Sequence, residues 1–212
     1  AGDEGIGQLS GNLGLQGELL TLDFEAASPR LAVSGAGRIA MNDEMDADLT
    51  LRFSETSLDP YLRFFEPRLS PFTRAIAGGT VRVSGELMNV EQLAVEAKVE
   101  TLNLTLFDYQ LTNEGVMDLS LRNNVAEIGS RVNETTFMPV RLSGEGTNLQ
   151  LSGSVDLNSS AISVNATGDP NLGILQGFFR SLRSSGSATL AAGVSGTLQK
   201  PVFSGKATLT DG

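Results

Sequence analysis

The stretch Met45-Asp46-Ala47-Asp48-Leu49-Thr50-Leu51-Arg52-Phe53 alternates apolar and polar residues without a break. Successive side chains of an extended strand point to opposite faces, so a period of two predicts a strand with one dry face and one wet face. The pattern spreads both ways. Leu31, Val33, Ile39 and Met41 alternate with Arg30, Ala32, Arg38 and Ala40 before it. Val81 and Val83, then Leu93, Val95, Ala97 and Val99, follow it. At Glu100-Thr101 the phase slips by one, and Leu102, Leu104 and Leu106 carry on. A β-bulge there would keep both halves facing one way. The second half repeats the theme with Val140 and Leu142, with Leu149, Leu151, Val155 and Leu157, with Ile162, Val164 and Ala166, and with Leu190 and Val194. Asn123-Asn124 and Asn158-Ser159 supply turns. The fold class is mainly β.

Two stretches carry a helical period instead. Asp59-Pro60 offers an N-cap followed by proline in the first turn, and Leu58, Tyr61, Leu62, Phe65 and Leu69 then fall on one face. Asp169-Pro170 does the same ahead of Leu172, Leu175, Phe178, Phe179 and Leu182. Two short helices plugging the end of a sheet are the simplest reading. They head an internal repeat, because Ser84 follows Asp59 by 25 residues and Ser195 follows Asp169 by 26. The heads cover about residues 57–99 and 168–210. Val83-Ser84-Gly85 and Val194-Ser195-Gly196 belong to an apolar-Ser-Gly tripeptide found at seven places, the others ending at Gly11, Gly35, Gly144, Gly153 and Gly205. A glycine repeated at one place in many strands suggests a repeated bend.

Composition removes whole classes of chemistry. The chain has 212 residues with no Cys and no His, so disulfides, thiolate nucleophiles, imidazole bases and the commonest zinc ligands are all missing. Without His no Ser-based triad can be built, and an enzyme is not expected. The net charge of −10 repels nucleic acid and anionic headgroups. No apolar run reaches the roughly 18 residues needed to span a bilayer. The chain begins Ala1-Gly2-Asp3 and ends in mid-pattern at Thr210-Asp211-Gly212, so residues 1–212 read as one β-rich segment of a longer protein.

The apolar faces pose the decisive question. Leaving such surface in water costs about 25 cal/mol per Å². Two short helices are too few to cover it. A second sheet could pack on it as a sandwich, the sheet could close into a barrel, or it could curl into a trough filled by apolar ligand. A membrane barrel wants aromatic girdles, and the chain has no Trp and 2 Tyr. The inward set is aliphatic, which suits acyl chains and an ordinary core equally. On pattern alone the sandwich stands first.

A resemblance shifts that balance. Val194-Ser195-Gly196-Thr197-Leu198-Gln199-Lys200-Pro201-Val202-Phe203-Ser204-Gly205-Lys206-Ala207-Thr208-Leu209 resembles the recurring Val-Ser-Gly-Thr-Leu…Pro…Gly motif of TamB-like proteins, in the AsmA-like group of the bacterial envelope. The unit from Leu172 to Leu198 is similar to the one that precedes the motif in that family. The unit from Leu58 to Leu87 resembles it again, with Glu86 in place of Thr and Val90 in place of Pro. The resemblance covers the two heads, while the strands between match in style. It implies a periplasmic segment of a protein anchored in the inner membrane, folded as a β-taco, an elongated curled antiparallel or mixed sheet around an apolar groove. It implies phospholipid as cargo between inner and outer membranes, and outer-membrane protein assembly with an Omp85-type partner barrel. No catalytic residue and no cofactor come with it. The groove would be lined by Leu31, Val33, Ile39, Met41, Leu49, Leu51, Phe53, Val81, Val83, Leu93, Val95, Val99, Leu104, Leu142, Leu149, Leu151, Val155, Ile162, Val164, Leu190 and Val194. Tyr61, Leu62, Phe65, Leu175, Phe178 and Phe179 would close its end.

Other constellations read as surface. Asp43, Glu44, Asp46 and Asp48 form the densest carboxylate cluster, but Glu44, Asp46 and Asp48 would share one outward strand face, and calcium needs a loop that wraps it. Arg63, Arg68 and Arg74 flank the first helical stretch, where ordinary surface charge is favoured over a headgroup clamp. Two competing functions stay open. One is an assembly scaffold whose edge strand templates client strands by β-augmentation. The other is a structural β-solenoid stalk with a packed core.

Overall fold

The computed structural model describes residues 7–59, 72–106, 108–133, 136–174 and 185–210. Its strands are β1 (Gln8–Gln16), β2 (Leu19–Ser28), β3 (Leu31–Ala40), β4 (Asp46–Ser57), β5 (Arg74–Glu86), β6 (Ala94–Leu106), β7 (Tyr109–Asn113), β8 (Met117–Arg122), β9 (Val125–Ile128), β10 (Ser130–Arg131), β11 (Phe137–Met138), β12 (Val140–Gly144), β13 (Thr147–Asp156), β14 (Ile162–Asp169), β15 (Ser187–Thr197) and β16 (Lys200–Thr210). Fourteen of them form one curled sheet in which every pair is antiparallel, and β10 with β11 makes a small separate hairpin.

Strand order follows chain order over long runs. β1 to β6 form one meander and β13 to β16 another. Between them lie two short ladders set end to end. The N-terminal half of β6 pairs with β8, and its C-terminal half pairs with β7. β13 pairs likewise with β9 and with β12. Tight turns drive these hairpins. Asn123 and Asn124 both take positive φ, at 50° and 61°, which is the two-residue turn that suits the twist between β8 and β9. Glu145 and Gly146 do the same between β12 and β13.

The phase slip in β6 is a bulge. Gly78 pairs with Thr101 and Gly79 with Val99, which leaves Glu100 as the extra residue. Both sides of the slip therefore face the same way. Asn113 repairs the broken ladder. Its Oδ1 accepts from the Leu102 N–H at 2.7 Å, and its Nδ2 lies within hydrogen-bond reach of the carbonyls of Glu100, at 3.0 Å, and Gly115, at 2.6 Å. A second bulge, which the alternation did not reveal, falls in β4 between Phe53 and Thr56, where Glu55 has φ 44°. The buried Thr56 hydroxyl there donates to the Ala32 carbonyl.

Several expectations need correction. The two-sheet sandwich is not formed, since the strands join one sheet. Asp169 is the last residue of β14 and does not cap a helix. The 3-10 turn Leu172–Ile174 is capped by Asn171, whose Oδ1 accepts from the Gly173 N–H at 2.9 Å. Met45 has φ 53° and precedes β4, so Glu44 stands in the turn and shares no strand face with Asp46 and Asp48. Leu157 lies past the end of β13, where Asp156 has begun a turn. Tyr61, Leu62, Phe65, Leu175, Phe178 and Phe179 lie outside the described residues, as do Arg63 and Arg68.

The core gathers at one end of the sheet. Leu106 and Leu111, each 1% exposed, pack with Ile174 from the 3-10 turn, and Leu104, Tyr109 and Leu149 flank them. Burying each large side chain there stabilises by roughly 1.5–3 kcal/mol. The β4–β5 and β14–β15 connections leave and return at this same end. Elsewhere the large residues of the apolar face stay only half-buried. The whole chain exposes 13595 Å², where a compact monomer of its mass would expose roughly 9,400 Å².

Candidate functional site

Residues paired directly across antiparallel strands place their side chains on the same face. Following one row of pairs across the sheet therefore defines its surface. Gly11 pairs with Phe24, Phe24 with Gly35, Gly35 with Leu51, Leu51 with Val81 and Val81 with Ala97. The row continues through Leu119, Ile128, Gly153, Val164, Val194 and Phe203. No member is polar. The adjacent row, on the opposite face, runs Asn12, Asp23, Ala36, Thr50, Arg82, Glu96, Ser120, Glu127, Ser154 and Ser163. The sheet has one dry side and one wet side from edge to edge.

The anticipated groove residues fall on the dry side. Leu31, Val33 and Ile39 lie in β3, and Leu49, Leu51 and Phe53 in β4. Val81 and Val83 lie in β5, and Val95, Val99 and Leu104 in β6. Leu142 lies in β12, and Leu149, Leu151 and Val155 in β13. Ile162 and Val164 lie in β14, and Leu190 and Val194 in β15. Met41 sits one residue beyond β3 and is exposed, and Leu93 sits one residue before β6. The same face also carries residues the sequence reading passed over, among them Leu20, Leu22, Phe24, Leu119, Leu121 and Leu111. Leu20-Thr21-Leu22-Asp23-Phe24 shows the same alternation and was the available signal.

Glycine shapes this face. All seven glycines of the apolar-Ser-Gly tripeptides sit on the dry side, with each serine on the wet side. Their conformation is not uniform. Gly85, Gly144, Gly153, Gly196 and Gly205 have positive φ, whereas Gly11 and Gly35 do not, so the repeat marks a face rather than one bend. Gly153 shows the need most clearly. Its φ is 143°, and a β carbon there would stand 2.1 Å from the Ser163 carbonyl oxygen. Ile128 and Val164 stand opposite Gly153, and Phe24 and Leu51 opposite Gly35, so at these two places large side chains pack over a glycine on the dry side.

Polar groups on the dry side are few and satisfied. The Asn113 amide is bonded to backbone as described. The buried Thr147 Oγ1 accepts from the Asn171 N–H at 2.9 Å. Among the described residues, no buried side-chain polar atom lacks a partner.

The wet side pairs its charges. Arg82 holds Asp48 through Nε to Oδ1 at 3.1 Å and Nη2 to Oδ2 at 3.3 Å, and Arg122 pairs with Glu96. The guanidinium of Arg131 donates to Glu127 from Nε at 2.6 Å and stacks 4.8 Å above the Phe137 ring. Exposed pairs like these contribute roughly 0–1 kcal/mol each. The Arg122–Glu96 and Arg131–Glu127 pairs line a depression of about 390 Å³ beside β10. At the β13–β14 turn, hydrogen bonds from the Ser159 hydroxyl and from the Ser159 and Asn158 backbones hold the Asp156 carboxyl below the usual carboxylate range. Among the described residues, no group of acidic side chains is placed to hold a metal ion, and no helix is long and apolar enough to cross a membrane.

Comparison of the chain with protein-family models, with curated proteins and with solved structures gave no match. The fold and site define a class by themselves, an open single-layer antiparallel sheet with one continuous apolar face.

Proposed function

We propose that this chain is a non-catalytic segment of a periplasmic lipid-transfer protein whose parent is anchored in the inner membrane. Its dry face shields the acyl chains of phospholipid from water as lipid moves between the inner and outer membranes, which supports outer-membrane biogenesis. One observation carries the reading. An unbroken apolar row crosses the sheet, and its large members stay half-exposed although they occupy the centre of the sheet. A face left so open has a cost in water of about 25 cal/mol per Å², and a bound acyl chain removes it. The resemblance of Val194–Leu209 to the TamB-like motif and the absence of His and Cys agree with the same role.

Lipid extraction and native mass spectrometry of the protein purified from a bacterial envelope test it. Co-purifying phospholipid is the expected result. A stable, lipid-free protein that binds no dye for apolar surfaces would overturn it.

A second reading has its own support. β1 and β16 are long edge strands, each hydrogen-bonded on one side only among the described residues. Such an edge can template a client strand in an assembly scaffold with an Omp85-type barrel. Isotope-edited infrared spectra of a labelled barrel-strand peptide would show new antiparallel pairing if this reading holds, and none if it fails.

A further inference from the structure

The connections between strands fall on two rims of the dry face. Antiparallel pairing sets the connections β1–β2, β3–β4, β5–β6, β8–β9, β13–β14 and β15–β16 on one rim. At the other rim the cluster of Leu106, Leu111 and Ile174 closes the dry face.

Turns are ordinarily polar. The first rim departs from that rule. Four of its six connections expose a large apolar residue, Met41 at 48%, Met88 at 69%, Leu157 at 49% and Leu198 at 49%. Met41, Leu157 and Leu198 each follow a dry-side residue by two, namely Ile39, Val155 and Gly196. The apolar set therefore runs on past the strand ends into the turns. The charge of these six connections has one sign. They carry the exposed Glu18, Asp43, Glu44 and Glu91, and no lysine or arginine.

A phospholipid lying on the dry face must keep its headgroup in water, because burying an unpaired charge is costly. One rim is filled by the core cluster, which leaves the other. There the exposed apolar residues can follow the acyl chains to the water boundary, and the carboxylates meet the headgroup. Carboxylates attract an ammonium and repel a headgroup of net negative charge, within a screening length of roughly 8–10 Å.

We propose that the rim of Met41, Met88, Leu157 and Leu198 is the headgroup side of the groove, and that its cargo is a zwitterionic phospholipid ending in an ammonium rather than an anionic one. The inference rests on the lipid-transfer reading and adds to it where the headgroup sits and which class of lipid is carried.

Vesicles of equal parts phosphatidylethanolamine and phosphatidylglycerol offer both classes to the purified chain. Mass spectrometry of the lipid recovered with the re-isolated protein gives the ratio. Phosphatidylethanolamine should be enriched several-fold at about 20 mM salt, and less so at about 500 mM. Asp43→Lys with Glu44→Lys, at exposed positions, should reverse the preference while circular dichroism stays unchanged. Asp108→Lys, in the β6–β7 turn on the other rim, should leave the ratio as it was. Met41→Ser with Leu157→Ser should lower the amount of both lipids and keep their ratio. Recovery of neither lipid would overturn the transfer reading and this inference with it. Recovery of lipid without enrichment, or a ratio moved equally by Asp108→Lys, would overturn the inference and leave the transfer reading standing.

Discussion

The ring of Phe24 occupies the space where Gly35 has no side chain. A β carbon on Gly35 would stand 2.5 Å from Phe24 Cε1 and 2.7 Å from Leu51 Cδ2. An aromatic ring covering a cross-strand glycine supplies the packing that the glycine lacks and leaves the backbone free to curve.

Gly35→Ala should therefore destabilise the protein by roughly 1–3 kcal/mol through overpacking. Phe24→Leu in the same chain should recover part of that loss. Urea denaturation of the four proteins in the cycle measures the coupling. Simple addition of the two single effects would contradict the contact.

Asn113 tests how the sheet is joined at its centre. Asn113→Ala leaves the Leu102 N–H and the Glu100 carbonyl without their partner, and a loss of roughly 1–3 kcal/mol is expected. Amide exchange at Leu102 should quicken more than at Val33, which sits in an intact ladder. Uniform quickening would mean that the amide has no local role.

Leu51 and Thr50 are matched controls, because neighbours on a strand face opposite sides. Leu51→Asp should remain folded, since an open face lets the carboxylate recruit water, yet capture less phospholipid by photo-crosslinking. Thr50→Asp, beside Arg82 on the wet side, should be silent. If the aspartate at position 51 unfolds the protein, the face is a filled core.

The buried cluster gives the opposite contrast. Leu111→Ala should cost roughly 2–5 kcal/mol, as for other filled core sites. Leu13→Ala, at the exposed edge, should change stability little. Thermal melts of the two variants rank them directly.

Asp156 predicts a pH dependence. Its folded carboxyl titrates below the unfolded one, so its contribution to stability is present above the ordinary carboxylate range and is lost as the pH falls through the folded value. Asp156→Asn should flatten that part of the stability curve. An unchanged acid limb would remove the Ser159 hydrogen bonds from the account.

Much of this fold was legible from side-chain period alone. Leu49 to Phe53 announced a two-faced strand, and the slip at Glu100 announced its bulge, because a bulge moves the whole apolar set by one residue. The second bulge at Ser54-Glu55 left no such mark, because the inward residue beyond it is Thr56, a polar side chain that buries its hydroxyl on backbone. Period also could not separate one sheet from two. Apolar faces read the same whether another sheet, a ligand or water stands over them. That distinction lies in the order of pairing, and the short strands β7, β8, β9 and β12 that set it show alternation but nothing in that alternation names their partners. The cap at Asn171 was obscured by Asp169-Pro170, a stronger local signal that the strand end absorbed.

The join between the two meanders has a kinetic consequence. Within β1 to β6 and within β13 to β16, each strand meets the strand next to it in sequence, so hairpins can zip one after another at small loop-closure cost. β6 and β13 are bridged only by the short ladders between them, and these require segments distant in sequence to meet. Folding should then proceed as two quick local zippers followed by one slower docking step. Pulling the chain from its ends should peel the outer hairpins first and break the seam at β7 and β12 last.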